Sequence, residues 1–365
     1  MSTRQLISRD LVFSFIVTLM LVSLSLLGVT ELFGCTLSGA TGNATLSGND
    51  TYIACSGDNP WGYPTRPGTE YRKGTINMRT HVVVNATPDK YKFIGTLIGG
   101  KPEYAVIAAL SRGMNEKGLC FVRAGALSTE PITQGGITPL AIGYELMMNY
   151  ATVDEAINFF KTVPKAASNN YVIADALGNI ASIEFSSQTV NVFYKTNNGV
   201  TGITNHYVSE KMVPFMPADI GTRILFGCTT FTSSKQRLER VMELLNANKG
   251  KIDLQVMMSI YRDRKNGEVG GSICNYSSIG GSTNSSIIEP KKLTFWYTFG
   301  IPCPNPETTK FGWDMGASWG TYLPFHLPSI MQGKYGQWDL TTEFGQFTPF
   351  GIEALYVPSA PYKSK

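Results

Sequence analysis

Cys35 is the residue that could do chemistry with the least help from elsewhere in the chain. A thiol attacks a carbonyl as its thiolate, and an ordinary cysteine has a pKa of about 8.5. If the chain were cut after Gly34, Cys35 would also carry the terminal α-amine, whose pKa of about 7.7–8.0 leaves it partly neutral near neutral pH. That amine could take the thiol proton directly or through one water. Nucleophile and general base would then come from a single residue, and the reaction would be acyl transfer from an amide. No histidine is required. The chain has only three, His81, His206 and His326, at no metal-ligand spacing, and it has no CxxC pair. Nothing in the pattern calls for a metal or another cofactor.

Such a cysteine works only if processing exposes it. Arg4 and Arg9 precede an uncharged apolar run from Leu11 to Val29, closed by Glu31. A charged start followed by such a run is an export signal. The run also approaches the length that spans a bilayer, so a retained segment would tether the protein to a membrane. The expected division is therefore 1–34 as signal peptide or signal anchor and 35–365 as one domain, placing the protein outside the cytoplasm. Glycosylation-type triplets at Asn43, Asn49, Asn85, Asn275 and Asn284 fit export. With Cys35 free, Cys55, Cys120, Cys228, Cys274 and Cys303 allow at most two disulfides and one leftover thiol, or plain burial as apolar residues.

The composition, 43% hydrophobic and 16% charged, supports a large core and is far from a disordered one. The net charge of +4 is spread without a Lys/Arg run, which leaves nucleic-acid binding unsupported. Residues 36–51 read as a flexible tether or as strand, turn and strand. Gly57 to Pro64 reads as an irregular, surface-reaching loop. Short β-rich runs cover Val82–Asn85, Phe93–Ile98, Tyr104–Leu110 and Leu119–Val122. Helices are expected over Thr138–Tyr150 and after Thr152-Val-Asp-Glu155, a capping box. Asn115 and Gly118 read as a tight turn, with Asn115 tolerating positive φ. Strands return at Tyr171–Ala174, Ile180–Phe185, Val190–Tyr194 and Val200–Thr204. A second helix pair follows, Leu238–Leu245 capped by Ser233 and Gln236, then Leu254–Tyr261. Leu293–Phe299 is the last clear strand. Hairpin turns imply antiparallel sheet, and helices grouped in blocks cover sheets rather than alternate with strands. The expected fold is α+β, a four-layer α/β/β/α sandwich.

The segments Gly34-Cys35-Thr36 and Tyr52-Ile-Ala-Cys-Ser-Gly-Asp58 resemble the opening of the isopenicillin-N acyltransferase family, the carcinine hydrolase group, and more distantly choloylglycine hydrolases and penicillin V acylases. Gly113-Met-Asn-Glu-Lys-Gly-Leu119, Ile203-Thr204-Asn205-His206 and Phe299-Gly-Ile-Pro-Cys303 match further family motifs in the family's order, so the likeness spans most of residues 34–303. The resemblance implies the N-terminal-nucleophile hydrolase fold. It makes Cys35 the nucleophile, Asp58 the aspartate that holds the α-amino group, and Asn205 an oxyanion-hole donor. There are departures. Cys55 stands where choloylglycine hydrolases have arginine, Asn275 follows Cys274 where the acyltransferases have arginine, and no asparagine occurs around Arg123-Ala124-Gly125 to give the second donor. The hairpin between Cys35 and Asp58 is also a few residues long.

The expected activity is hydrolysis of a linear, non-peptide N-acyl amide of small size through a thioester on Cys35. An amine acceptor would turn this into acyl transfer, and coenzyme A would enter only as an acyl donor. Signal peptidase or self-cleavage would expose the residue. Trp61 and Tyr63 are candidates to line the substrate pocket and Arg123 to meet an acidic substrate group. His206 reads as a structural hydrogen-bonding residue. A competing reading takes Leu32-Phe-Gly-Cys35 as a lipobox, making a lipid-anchored surface binding protein of the same fold without catalysis, although Phe33 is bulky for that site.

Overall fold

A computed structural model describes residues 34–60, 80–85, 90–98, 109–220, 224–225, 229–266, 271–275, 280–299, 302–303 and 322–331. The apolar run from Leu11 to Val29 and the aromatic pair Trp61 and Tyr63 lie outside them.

In chain order, β1 (Gly34–Thr41) and β2 (Thr51–Pro60) form a hairpin, so residues 36–51 take the strand–turn–strand form. β3 (Thr80–Asn85), β4 (Phe93–Ile98), β5 (Ala109–Asn115) and β6 (Cys120–Gly125) follow. Two helices come next, α1 (Pro139–Asn149) and α2 (Val153–Thr162), then β7 (Asn169–Ala174), β8 (Ile180–Phe185), β9 (Val190–Thr196) and β10 (Gly199–Ile203). The two-residue strands β11 (Ile224–Leu225) and β12 (Thr229–Thr230) precede α3 (Phe231–Ala247) and α4 (Leu254–Tyr261). The described chain closes with β13 (Gly280–Glu289), β14 (Thr294–Phe299), β15 (Leu323–His326) and the single turn α5 (Leu327–Met331).

β3 to β9 make one seven-stranded antiparallel meander in sequence order; the other large sheet runs β10-β1-β2-β13-β14-β15. The sheets pack face to face. Leu37, Ile53 and Cys55 of one mesh with Ile94, Met114, Val122 and Val172 of the other. On the outer face of the meander, Leu146, Phe159 and Phe160 from α1 and α2 cover Phe121, Tyr171 and Phe185. On the outer face of the second sheet, Val241, Leu245, Met257 and Tyr261 from α3 and α4 cover Ala40, Tyr52, Ala54 and Ile287. Burying each such large side chain contributes about 1.5–3 kcal/mol. The result is the α/β/β/α sandwich expected from the sequence.

Local chemistry explains the element ends. Thr152 and Glu155 form the expected capping box on α2, each side chain bonding the other's amide. α3 starts earlier than expected, because Thr230 rather than Ser233 caps it by accepting from the Ser233 amide. The segment through Pro60 is also not a loop. β2 continues to Pro60 because β1 pairs on one side and β13 on the other, and a register irregularity between Ser282 and Asn284 absorbs the mismatch. β13 itself carried no strand signal, being built of Gly, Ser, Thr and Asn over most of its length. Asn115 keeps strand backbone while Gly118 takes the positive φ of 83°. The Asn115 side chain instead donates to the carbonyls of Met147 and Tyr150 and accepts from the amides of Lys117 and Leu119.

Candidate active site

β1 is buried along its whole length, because it sits inside its sheet with both faces covered. Its alternation sets two environments. Cys35 and Leu37 face the space between the sheets, while Thr36 and Ser38 face α3 and α4, where they bond Arg237 and Tyr261. Cys35 is 5% exposed and lies opposite Gly57; Gly34 lies opposite Asp58. The aspartate is thus beside the peptide bond whose cleavage would free the Cys35 amine.

Three groups converge on the Cys35 backbone. Its N–H donates to Asn205 Oδ1 at 2.8 Å, and its carbonyl accepts from Arg237 Nη1 at 2.6 Å. Arg237 Nη2 donates to the same Asn205 Oδ1 at 3.0 Å, and Nη1 also reaches Thr36 Oγ1 at 2.9 Å. Both partners of Oδ1 are donors, which fixes the orientation of the amide. Asn205 Nδ2 donates to the Gly125 carbonyl at 3.1 Å. Arg237, fully buried on α3, was not singled out in the sequence. Its signal is weak: a charged residue on a helix face otherwise given to Val241 and Leu245.

The Thr204-Asn205-His206 segment is held from several directions. Asn170 on β7 donates from Nδ2 to the carbonyls of Thr204 at 2.7 Å and His206 at 2.9 Å. Ser234 on α3 accepts from the Asn205 amide at 2.9 Å and lies 2.8 Å from His206 Nδ1. Burial, helped by the Arg237 and Lys235 cations, pulls His206 down to about 4, so it is neutral and structural at ordinary pH. Asn170 had no sequence signal beyond its place at a strand start.

Asp58 is fully buried. Its Oδ1 accepts from Ser282 Oγ at 2.5 Å, and among the described residues Oδ2 has no hydrogen-bond partner. Burial raises its carboxyl to about 6, against the opposing pull of the Arg237 cation and the Ser282 hydroxyl. A cationic amine at residue 35 would meet an acceptor ready for it.

On the other face, the Cys35 thiol neighbours the Cys55 thiol, which donates to the Ser56 carbonyl at 3.1 Å. That contact and then burial push Cys35 up, with the Arg112 cation acting in the opposite direction. Cys55 is held down in spite of its burial, through the neighbouring Cys35 thiol and the Arg112 cation. Arg112 comes from β5 of the facing sheet and was also missed in the sequence.

The structure thus brings Cys35, Asp58 and Asn205 together. Arg123 is elsewhere: it shares the face of Phe121 and Tyr171, toward the α1–α2 layer, whereas Val122 and Ala124 face Cys35. Cys274 and Cys303 form a disulfide, and Cys35, Cys55 and Cys120 are free and buried.

The family model described as acyl-coenzyme A:6-aminopenicillanic acid acyl-transferase matches residues 71–303, a stretch that includes Asn205 and Arg237 and begins after Cys35 and Asp58. No curated protein sequence matches. Among solved structures, an arginine-to-leucine variant of conjugated bile acid hydrolase from Clostridium perfringens superposes with a TM-score of 0.50 at 14% identity, covering 81% of this chain and 93% of that one. Penicillin V acylase from Agrobacterium tumefaciens gives a TM-score of 0.45 at 16% identity, covering 74% and 84%. The Caenorhabditis elegans N-acylethanolamine-hydrolyzing acid amidase ortholog gives 0.44 at 12%, covering 70% and 93%.

Proposed function

Because the chain belongs to the acyl-coenzyme A:6-aminopenicillanic acid acyl-transferase family, we propose that it is an exported amidohydrolase whose nucleophile is Cys35, exposed as the first residue by cleavage after Gly34. The observation that carries this reading is the convergence of Asn205 Oδ1 and the Asp58 carboxylate strand on the nitrogen end of Cys35.

Once freed, the Cys35 amine has Asn205 Oδ1 and Asp58 Oδ2 as acceptors, and it takes the thiol proton. The thiolate attacks the amide carbonyl, forming the C–S bond and an oxyanion, for which the Asn205 side-chain N–H is the assigned donor. Collapse breaks the C–N bond as the Cys35 ammonium returns its proton to the leaving amine. The thioester left on Cys35 is resolved by water, whose proton passes to the α-amine and then to sulfur. A second amine in place of water would give acyl transfer, with coenzyme A serving only as a donor of acyl groups. Small linear N-acyl amides are the substrate class, with Trp61 and Tyr63 as candidates to line the pocket.

One feature supports the reading over a lipid-anchored one. The Cys35 side chain points into the core between the sheets, not outward as a lipid tether requires. The Cys274–Cys303 disulfide suits export to an oxidising compartment, which both readings share. The test pairs mass analysis of the natural N-terminus with turnover of an N-acyl amide panel by wild type and Cys35→Ser. A free Cys35 and loss of turnover in the variant are expected. Equal turnover, or a diacylglyceryl adduct on Cys35, would end the proposal.

A further inference from the structure

A buried guanidinium needs a negative partner, since a charge taken out of water without one is expensive. Arg112 is 3% exposed and makes no ion pair among the described residues. Its Nη1 donates to the Cys55 carbonyl at 3.3 Å and to Ser286 Oγ at 3.1 Å, while Nε has no partner. Neutral oxygens orient the group but do not balance its charge.

The cation's location identifies its partner. Cys35 lies opposite Gly57 in the β1–β2 pairing, and a Cβ built on Gly57 would fall 2.9 Å from Arg112 Nη2. The guanidinium therefore occupies the space that a side chain opposite the nucleophile would fill. Cys55 is one pleat along the same face, which puts its thiol beside that of Cys35. We infer that Arg112 is the counter-ion of one negative charge shared by the Cys35 and Cys55 thiols, and so a positioning residue for the nucleophile delivered from the facing sheet. This deepens the proposed function and rests on Cys35 being the nucleophile.

The other charged or titratable groups around the pair do not take this part. Asp58 on β2 carries the wrong sign, and Tyr261 on α4 is pushed up by burial. Arg237 on α3 is committed to the Cys35 carbonyl, Thr36 and Asn205 on the opposite face of β1. Cys120 on β6 is buried with its thiol donating to the Ala174 carbonyl, and burial pushes it up. β13 offers Ser286, and β7 offers Val172 and Ala174. Among the described residues, only Arg112 brings a positive charge to the thiol face.

The test is the pH dependence of Cys35 alkylation by iodoacetamide in the processed protein, read by peptide mass. Wild type, Arg112→Lys and Arg112→Gln are compared; glutamine keeps a donor for Cys55 and Ser286 but not the charge. The wild-type midpoint is the reference against which the two variants are read. Arg112→Gln should move it up by about one pH unit, a tenfold loss of alkylation rate on the acid side, and Arg112→Lys should restore most of it. A Gln midpoint equal to wild type, with cooperative melting intact, overturns the inference. If the Gln variant does not fold, Cys55→Ala is measured instead: with the guanidinium left to Cys35 alone the midpoint should fall, and one equal to or above wild type overturns the inference. The readout is alkylation rather than turnover, so a charge-dependent midpoint in a protein that cleaves no amide would refute the proposed function alone.

Discussion

Asn205 Oδ1 accepts a 2.8 Å hydrogen bond from the backbone nitrogen of Cys35, 170 residues away in sequence. The same oxygen accepts from Arg237, so one side-chain atom couples the strand of Cys35 to the helix that covers it. The amide cannot turn over without setting nitrogen against two donors. Asn205 therefore fixes where the Cys35 backbone nitrogen sits.

Replacing Asn205 by alanine should consequently cost both function and stability. Loss of an oxyanion donor typically lowers kcat by about 10²–10³-fold. The Cys35 N–H and one Arg237 N–H would also lose their buried acceptor, at about 1–3 kcal/mol each. Steady-state kinetics and urea unfolding measure the two. A variant within threefold of wild-type turnover would show that the amide serves only the fold.

Arg237→Met removes the donor to the Cys35 carbonyl and to Asn205 Oδ1, with both acceptors staying buried. The unfolding free energy should fall by about 1–3 kcal/mol, the cost of leaving the buried Cys35 carbonyl without its side-chain donor, while Asn205 Oδ1 keeps the Cys35 N–H. Arg237→Lys should recover only part, because a single ammonium on a flexible stem cannot reproduce the planar fork. Full recovery by lysine in chemical denaturation would refute the geometric argument.

The layers and most elements were legible because hydrophobic alternation and turn chemistry are local. Thr152 and Glu155 announced α2, and the Ile180–Phe185 strand stood out between its turns. β13 was not legible, since a central strand of Ser, Asn and Gly is held by its neighbours' ladders rather than by its own propensity. The site divides in the same way. Cys35, Asp58 and Asn205 are carried by short motifs, whereas Arg237, Arg112 and Asn170 reach the site from a helix and a facing sheet far away in sequence. No local spacing records such an approach.

Asp58 and His206 should give opposing pH dependences. The Asp58 carboxyl is raised from 3.8 to about 6 in the fold, so between these values the native state holds a proton that the unfolded state has lost. Stability from this group is highest below pH 4 and falls by about 3 kcal/mol as pH rises through 6. His206 is lowered from 6.5 to about 4, so its contribution is present above 6.5 and lost as pH falls through 4. Its magnitude is also about 3 kcal/mol. In the unprocessed chain the two slopes nearly cancel between pH 4 and 6. Asp58→Asn should expose a stability that rises with pH across that window, and His206→Asn one that falls. Chemical denaturation at several pH values measures both, and parallel slopes in the two variants would contradict the assignment.

Gly57 is the position where the smallest change should matter most. It lies opposite Cys35 and has no side chain because Arg112 Nη2 and Asn284 Oδ1 would each stand 2.9 Å from its Cβ. Those neighbours are not loose ends. Arg112 is tied to the Cys55 carbonyl and Ser286, and both residues are buried between the sheets. Gly57→Ala should then destabilise by about 1–3 kcal/mol through overpacking. It should also push the guanidinium off the thiol face, so Cys35 alkylation should slow at neutral pH in the folded fraction. Alanine elsewhere on β2 facing the helices, such as Ser56→Ala, should leave alkylation unchanged. If Gly57→Ala melts like wild type and alkylates at the same rate, the guanidinium does not stand where the steric argument requires it.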